Sequence, residues 1–540
     1  MTSQTRAAQL KAEGNTLFAQ RQYKEARSKY SQAIDVDGNS AVLYSNRAAC
    51  SQYLRKYLDA ESDARKATEL DATYAKAWAR LAAATSSLGS DETSVHAWKK
   101  AIAALPENPN TAEKKQKEQY EAELKTMENR LQRPRATPTQ AVQVHGNLGQ
   151  TPWQRAAALE NELAQRGEPS SAPVIVEAYE EWKKGLDIMN MQRIVSSPNG
   201  PARMGFYGSI EAYSNAIIRD SRVFHLSQNN WTSDYNNQVM LEAQMVNAWV
   251  EGGVQCITSE ALTRQRQQGW DYVRPAITTT IRSYFIRGFM EATMQNRNDV
   301  GVEFIGQALE LLRWGCETWR DVPQDDKGAV FHQSFVRGVH ARYLDVYMKA
   351  CGTDPGKYKL KTLLKEAEGL LRHCDIPAVS PSAGPGFFMS FTTYPKGVAH
   401  SMIGFYHART AAQLLSQPSY DAGTILSHYK QAAEAYQASA DCYPKDDENR
   451  VWFLNCALQN YFLAGTPLRI TLPLMERIRE ELPDVLRIWE FSSLIQATRK
   501  TYQKTQSLEE KYRKGLKKKQ FTMDSEPVPD HLKSQVPRRR

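Results

Sequence analysis

Apolar positions recur at three- and four-residue intervals in one segment after another, and strand-like alternation is hard to find anywhere along the chain. From residue 7 to residue 108 the pattern itself repeats. Three blocks, 7–40, 41–74 and 75–108, align at a period of 34 without a gap. Small residues hold the eighth place (Gly14, Ala48, Ala82), the twentieth (Ala26, Ala60, Ser94) and the twenty-seventh (Ala33, Ala67, Ala101). Large apolar side chains hold the fourth (Leu10, Tyr44, Trp78). Such a period predicts one pair of antiparallel helices per block, with small residues where helices cross. The polar segment Thr111–Gln132 then predicts a helix that closes the end of the stack.

Residues 5–108 therefore resemble the tetratricopeptide family, although Gly38 and Ala72 stand where the third block carries Pro106. The resemblance implies that the first helix of each repeat lines a concave face. Places 2, 5, 6 and 9 share that face at i, i+3, i+4, i+7 spacing. They read Ala8, Lys11, Ala12, Asn15; then Val42, Ser45, Asn46, Ala49; then Lys76, Ala79, Arg80, Ala83. No acidic residue occurs among the twelve, and every long side chain is a hydrogen-bond donor.

The motifs "LKAEGN", "YSNRAA" and "KAWAR" further resemble the carboxylate clamp of co-chaperone repeats. Those repeats bind the Glu-Glu-Val-Asp tails of the seventy- and ninety-kilodalton heat-shock chaperones. The resemblance implies that Lys11, Asn15, Asn46 and Lys76 hold the two carboxylates of a terminal aspartate, while Arg80 contacts the peptide upstream. Ammonium and guanidinium groups suit carboxylates, and side-chain amides add donors without adding like-charge repulsion.

Beyond residue 132 the punctuation changes. Proline, glycine and serine clusters across 133–172 predict a linker with one short helix, "WQRAAALENELAQRG". Segments such as "VEFIGQALELLRWGCETW" and "VWFLNCALQNYFLAG" predict a larger, divergent helical domain over 173–500, so that the fold class is all-α throughout. Within it "AYSNAI" (212–217) parallels "KYSQAI" (29–34), and Ala432, Tyr436, Ser439 and Pro444 match places 20, 24, 27 and 32. The breaks in "AGPGF" predict an irregular loop over 376–395.

Composition, with 41% hydrophobic and 24% charged residues, is that of a globular protein. No apolar run nears the ~18 residues that span a bilayer, so the expectation is no membrane contact and a cytoplasmic location that can extend to the nucleus. The net charge of +9 sits almost wholly in residues 499–540, where 13 Lys/Arg face 5 Asp/Glu, a surplus of 8. Residues 501–540 read as a basic tail, helical and then disordered. Its lack of interleaved aromatics speaks against nucleic acid.

Enzyme signatures are missing: no GxSxG, HExxH or phosphate-binding loop occurs. His332, His340, His400, His407 and His428 read as packed or surface histidines without a metal pattern. No cofactor, metal or catalytic group is expected. The leading reading is a non-enzymatic adaptor that docks a chaperone tail and engages an unidentified second protein through 173–500. The alternatives are an enzyme in 173–500 localised by the repeats, and a nuclear scaffold using the tail.

Overall fold

The computed structural model describes residues 3–132, 150–197, 200–226, 228–376 and 384–537. Most of the first half of the expected linker (133–149) and residues 377–383 of the expected loop lie outside them. The three repeats are helix pairs: α1 (Ser3–Ala19) with α2 (Tyr23–Val36), α3 (Ala41–Tyr53) with α4 (Tyr57–Leu70), and α5 (Ala75–Ser87) with α6 (Asp91–Ala103). The closing helix is α7 (Thr111–Gln132).

The alanines of the period sit at the crossings. Ala26 and Ala60, at place 20, and Ala33, Ala67 and Ala101, at place 27, are all at 0% exposure. At Gly14 a Cβ would lie 2.8 Å from the Tyr30 ring, which is why α1 and α2 can approach so closely there. Each pair also turns at one place. Arg21, Arg55 and Gly89, spaced 34 apart, take left-handed backbone with φ of 61°, 61° and 77°. The following amide closes the turn each time, as in Lys56 N to Ser51 O at 2.8 Å and Ser90 N to Thr85 O at 2.9 Å.

The chain forms two compact units, and they do not follow the boundaries read from the sequence. The first joins residues 1–139 to 243–328. The added segment, with helices Val254–Gln268, Trp270–Met294 and Asn298–Thr318, makes polar contacts with the repeats. Arg27 reaches Gln255 at 3.1 Å, Lys56 pairs with Glu310 at 3.1 Å, and Arg65 pairs with Glu251 at 3.0 Å. The Leu58 amide at the start of α4 donates to Glu303 at 3.2 Å. At the third repeat, Arg287 donates to Ser90 at 3.2 Å.

The second unit comprises residues 140–242 and 329–540. Helices Ala172–Asn190 and Ser209–Arg219 cross at Gly185 and Tyr213, and helices Tyr394–Leu415 and Ala422–Asp441 cross at Gly404 and Tyr436. These are glycine–tyrosine contacts like Gly14–Tyr30. The Ser209 hydroxyl donates to the Gly185 carbonyl at 2.8 Å, matching Ser94 to the Ala82 carbonyl at 2.8 Å in the third repeat. The two halves of the first of these pairs are separated by an antiparallel hairpin that the apolar pattern does not foretell. It pairs Arg193–Ser197 with Gly200–Met204, Ile194 opposite Arg203.

Three further expectations change. The short helix Pro152–Gln165 is no linker element: Trp153 and Ala156 are buried, and Arg155 donates to the carbonyls of Leu486 and Arg487 at 2.9 and 2.8 Å. The loop predicted over 376–395 is helical from Pro385, passing through a π-helical turn at Met389–Thr393 into Tyr394–Leu415. The basic tail is packed over its described residues, 501–537. Helix Ser493–Lys517 buries Ile495, Thr498, Tyr502, Thr505, Glu509 and Tyr512 along one face. Residues after it return to the domain, with the amides of Leu468 and Arg469 donating to Ser525 and Met523 carbonyls at 3.0 and 2.9 Å. Leu532 is buried in a 3₁₀ turn, Asp530–Gln535.

Candidate peptide-binding site

α1, α3 and α5 carry the five expected site residues. Two of them touch. The Asn15 side-chain oxygen accepts from the Tyr30 hydroxyl at 2.7 Å and from the Asn46 amide at 3.3 Å. With its oxygen satisfied from both sides, Asn15 keeps its two N–H donors for a ligand. Burial pushes the Tyr30 phenol up to about 12, so it stays a neutral donor and holds that orientation.

Lys76 and Arg80 stand one turn apart on α5 and line a cleft of about 510 Å³. Lys11, on α1, makes no hydrogen bond to the other four among the described residues. No carboxylate lies within ion-pair distance of Lys11, Lys76 or Arg80 among those residues. The nearby Glu13 is engaged elsewhere, by Lys29 at 2.7 Å. Three of the five expected site residues are thus cations without a carboxylate partner among the described residues, two are amides bonded to each other, and of the five Lys76 and Arg80 line the cleft.

The sequence reading missed what lies across the cleft. α7 contributes Gln116, Gln119, Tyr120 and Glu123, and α6 contributes Trp98. Trp98 and Tyr120 pack with ring centroids 5.3 Å apart. Burial raises the Tyr120 phenol, while Gln116 and the Arg80 charge pull the other way. The i, i+3, i+4, i+7 spacing of 116, 119, 120 and 123 marks one helix face and was the available signal.

Clusters in the second unit are closed upon themselves. Arg222 pairs with Asp220 at 2.6 Å and Asp447 at 2.9 Å, and lies 3.7 Å over the Trp489 ring. Tyr394 donates to Asp447 at 2.7 Å, and burial pushes the Glu448 carboxyl up to about 7. Partners on every side make this an internal brace. His407 and His428 meet at 2.9 Å between their Nδ1 atoms. His340 pairs with Glu366 at 2.9 Å, and His332 caps the helix that begins at Gln333. Among the described residues no group of three His, Cys, Asp or Glu is placed to hold a metal ion. No helix among them is long and apolar enough to cross a membrane.

No family model matches the chain. It is similar to the heat shock protein sti1 homolog of Schizosaccharomyces pombe, 46% identical over 83 residues, covering 15% of this chain and 14% of that one. It is also similar to the small glutamine-rich tetratricopeptide repeat-containing protein 2 of Saccharomyces cerevisiae, 32% identical over 139 residues, covering 26% and 39%. A third similarity is to the Hsp70-Hsp90 organizing protein of Triticum aestivum, 38% identical over 102 residues, covering 19% and 18%. The chain therefore spans between 14% and 39% of the length of these relatives. The first 132 residues fold as three helix pairs with a closing helix, the arrangement of tetratricopeptide repeats, and one of these relatives carries that repeat in its name.

Proposed function

We propose that this protein is a non-enzymatic adaptor whose repeats hold the acidic carboxyl-terminal tail of a seventy- or ninety-kilodalton heat-shock chaperone. Lys11, Asn15, Asn46 and Lys76 take the terminal carboxylates, and Arg80 takes a carboxylate upstream. One observation carries the reading. The cations of this face lack carboxylate partners among the described residues, while Arg27 and Arg47 in the same repeats pair with Asp59 and Asp63, both at 2.8 Å or closer. A groove with donors and no acceptors suits an anionic ligand that brings its own carboxylates. The relatives' names, heat shock protein and Hsp70-Hsp90 organizing protein, support the choice of partner. The second unit, 140–242 with 329–540, engages a further protein partner.

Calorimetry on the whole chain tests the clamp. A peptide ending in Glu-Glu-Val-Asp should bind near micromolar, on the order of −8 kcal/mol. Its amidated form should bind at least tenfold more weakly, and added salt should weaken the free acid. Equal affinity for the two forms overturns the reading.

A further inference from the structure

The cleft beyond Arg80 changes sign along its length. Its cations are Lys76 and Arg80 on α5; its one carboxylate is Glu123 on α7. Glu123 is exposed and has no ion-pair partner among the described residues. The two helices run in the same direction. Tyr120 lies by Arg80, and farther along Ser86 meets Met127 at 3.1 Å while Arg130 donates to the Ser86 carbonyl at 3.0 Å. Glu123, one turn past Tyr120, therefore stands about 5 Å beyond the level of Arg80. An extended peptide covers that distance in one or two residues.

We infer that Glu123 makes this groove selective for tails that are acidic at the end and basic upstream, an arginine or lysine at the fifth or sixth residue from the terminal carboxylate. This rests on the clamp reading, which orients the peptide. A tail held at its end by Lys11, Asn15, Asn46 and Lys76, with Arg80 on its third or fourth residue, next enters the cleft. There Trp98 and Tyr120, only 6% and 7% exposed, back the cleft with the small apolar edge they leave open for an aliphatic stem, and Glu123 meets the charged head. Snorkelling of an arginine or lysine suits that pairing of surfaces. A peptide with glutamate there faces like charge instead.

The test uses the full chain and acetylated eight-residue peptides ending in Glu-Glu-Val-Asp. They carry arginine, alanine or glutamate at the fifth or, separately, the sixth residue from the end. For the half-exposed pair expected here, arginine at one of these positions should bind about two- to fivefold tighter than alanine. Glutamate should bind more weakly than alanine. Glu123→Gln should bring the arginine-to-alanine ratio to one, and Glu123→Lys should invert the preference toward glutamate. A ratio unchanged by Glu123→Gln overturns the inference. Amidated peptides keep the two readings apart. Loss of binding on amidation with no response to Glu123 substitution leaves the clamp standing and sinks the selectivity. Binding indifferent to amidation sinks the clamp itself.

Discussion

Two sets of basic side chains in the same three repeats are used in opposite ways. Arg27 and Arg47 lie between the helix layers, and the repeats supply each with a buried carboxylate. Arg47 grips Asp63 with two bonds, 2.9 and 2.7 Å, and reaches Ser31 at 3.2 Å. Lys76 and Arg80 lie on the inner face, where the repeats supply none. The residue type does not tell these roles apart; the presence of a paired acid in the fold does. A cation with its own carboxylate is spent on architecture, whereas one without is left for a ligand.

The sharpest way to break this comparison is Arg47→Ala. Burial already raises the Asp63 carboxyl above its ordinary range, against the pull of Arg47. Stranding it should cost about 3–5 kcal/mol of stability. Chemical denaturation should show that loss, while peptide affinity of the still-folded fraction stays the same. Arg80→Ala is the mirror case: folding should change by less than about 1 kcal/mol, while peptide binding loses about 2–5 kcal/mol. Equal stability costs for the two arginines would erase the distinction drawn here.

A pH test examines the α4 side. Burial pushes the Glu303 carboxyl up to about 7. Its value in an unfolded chain is about 4.3, so the folded form holds more protons between those limits. Stability therefore falls as pH rises through that window and levels off above it. Glu303→Gln keeps an acceptor for the Leu58 amide and removes the titration. From pH 5 to pH 8 the wild type should lose thermal stability relative to this variant; parallel profiles would place the carboxyl at an ordinary value.

The smallest expected effect is at the turns. Arg55 holds the left-handed backbone that Gly89 takes at the same place of the third repeat. That conformation costs a non-glycine residue about 1–2 kcal/mol, and glycine's extra chain entropy takes back about 0.5–1. Arg55→Gly should raise the melting temperature by a degree or two and leave peptide binding unaltered. A loss of stability would mean the arginine side chain contributes more than its strain costs.

The repeats were legible because their turn is short and constant. Three residues, the middle one left-handed, join each pair and keep the period at 34, so crossings at Ala33, Ala67 and Ala101 fall in register. The same kind of crossing at Gly185 and Tyr213 was legible only on the Tyr213 side, through the parallel of 212–217 with 29–34, because a β-hairpin lengthens the connection and no period survives. The packing helix at the carboxyl terminus was missed for another reason. Its buried face spaces Ile495, Thr498, Tyr502, Thr505, Glu509 and Tyr512 three and four apart, but half of those residues are polar. Lysines dominate the composition and mask that face. The attachment of 243–328 to the repeats leaves no sequence signature, since it rests on polar pairs such as Lys56–Glu310 that any solvated surface can carry. The inner face was readable as chemistry, but its far wall on α7 was not, because that helix reads only as polar.

The division of the first unit into 1–139 and 243–328 has a consequence in time. A ribosome adds about 5–20 residues per second, so the roughly 200 residues between the end of α7 and residue 328 take about 10–40 s to appear. Throughout that interval the nascent chain has a finished peptide groove on an unfinished body. The Leu58 amide and Arg65 still await Glu303 and Glu251. Under the proposed function, a chaperone tail meets its groove on a chain still being translated, before either unit is complete.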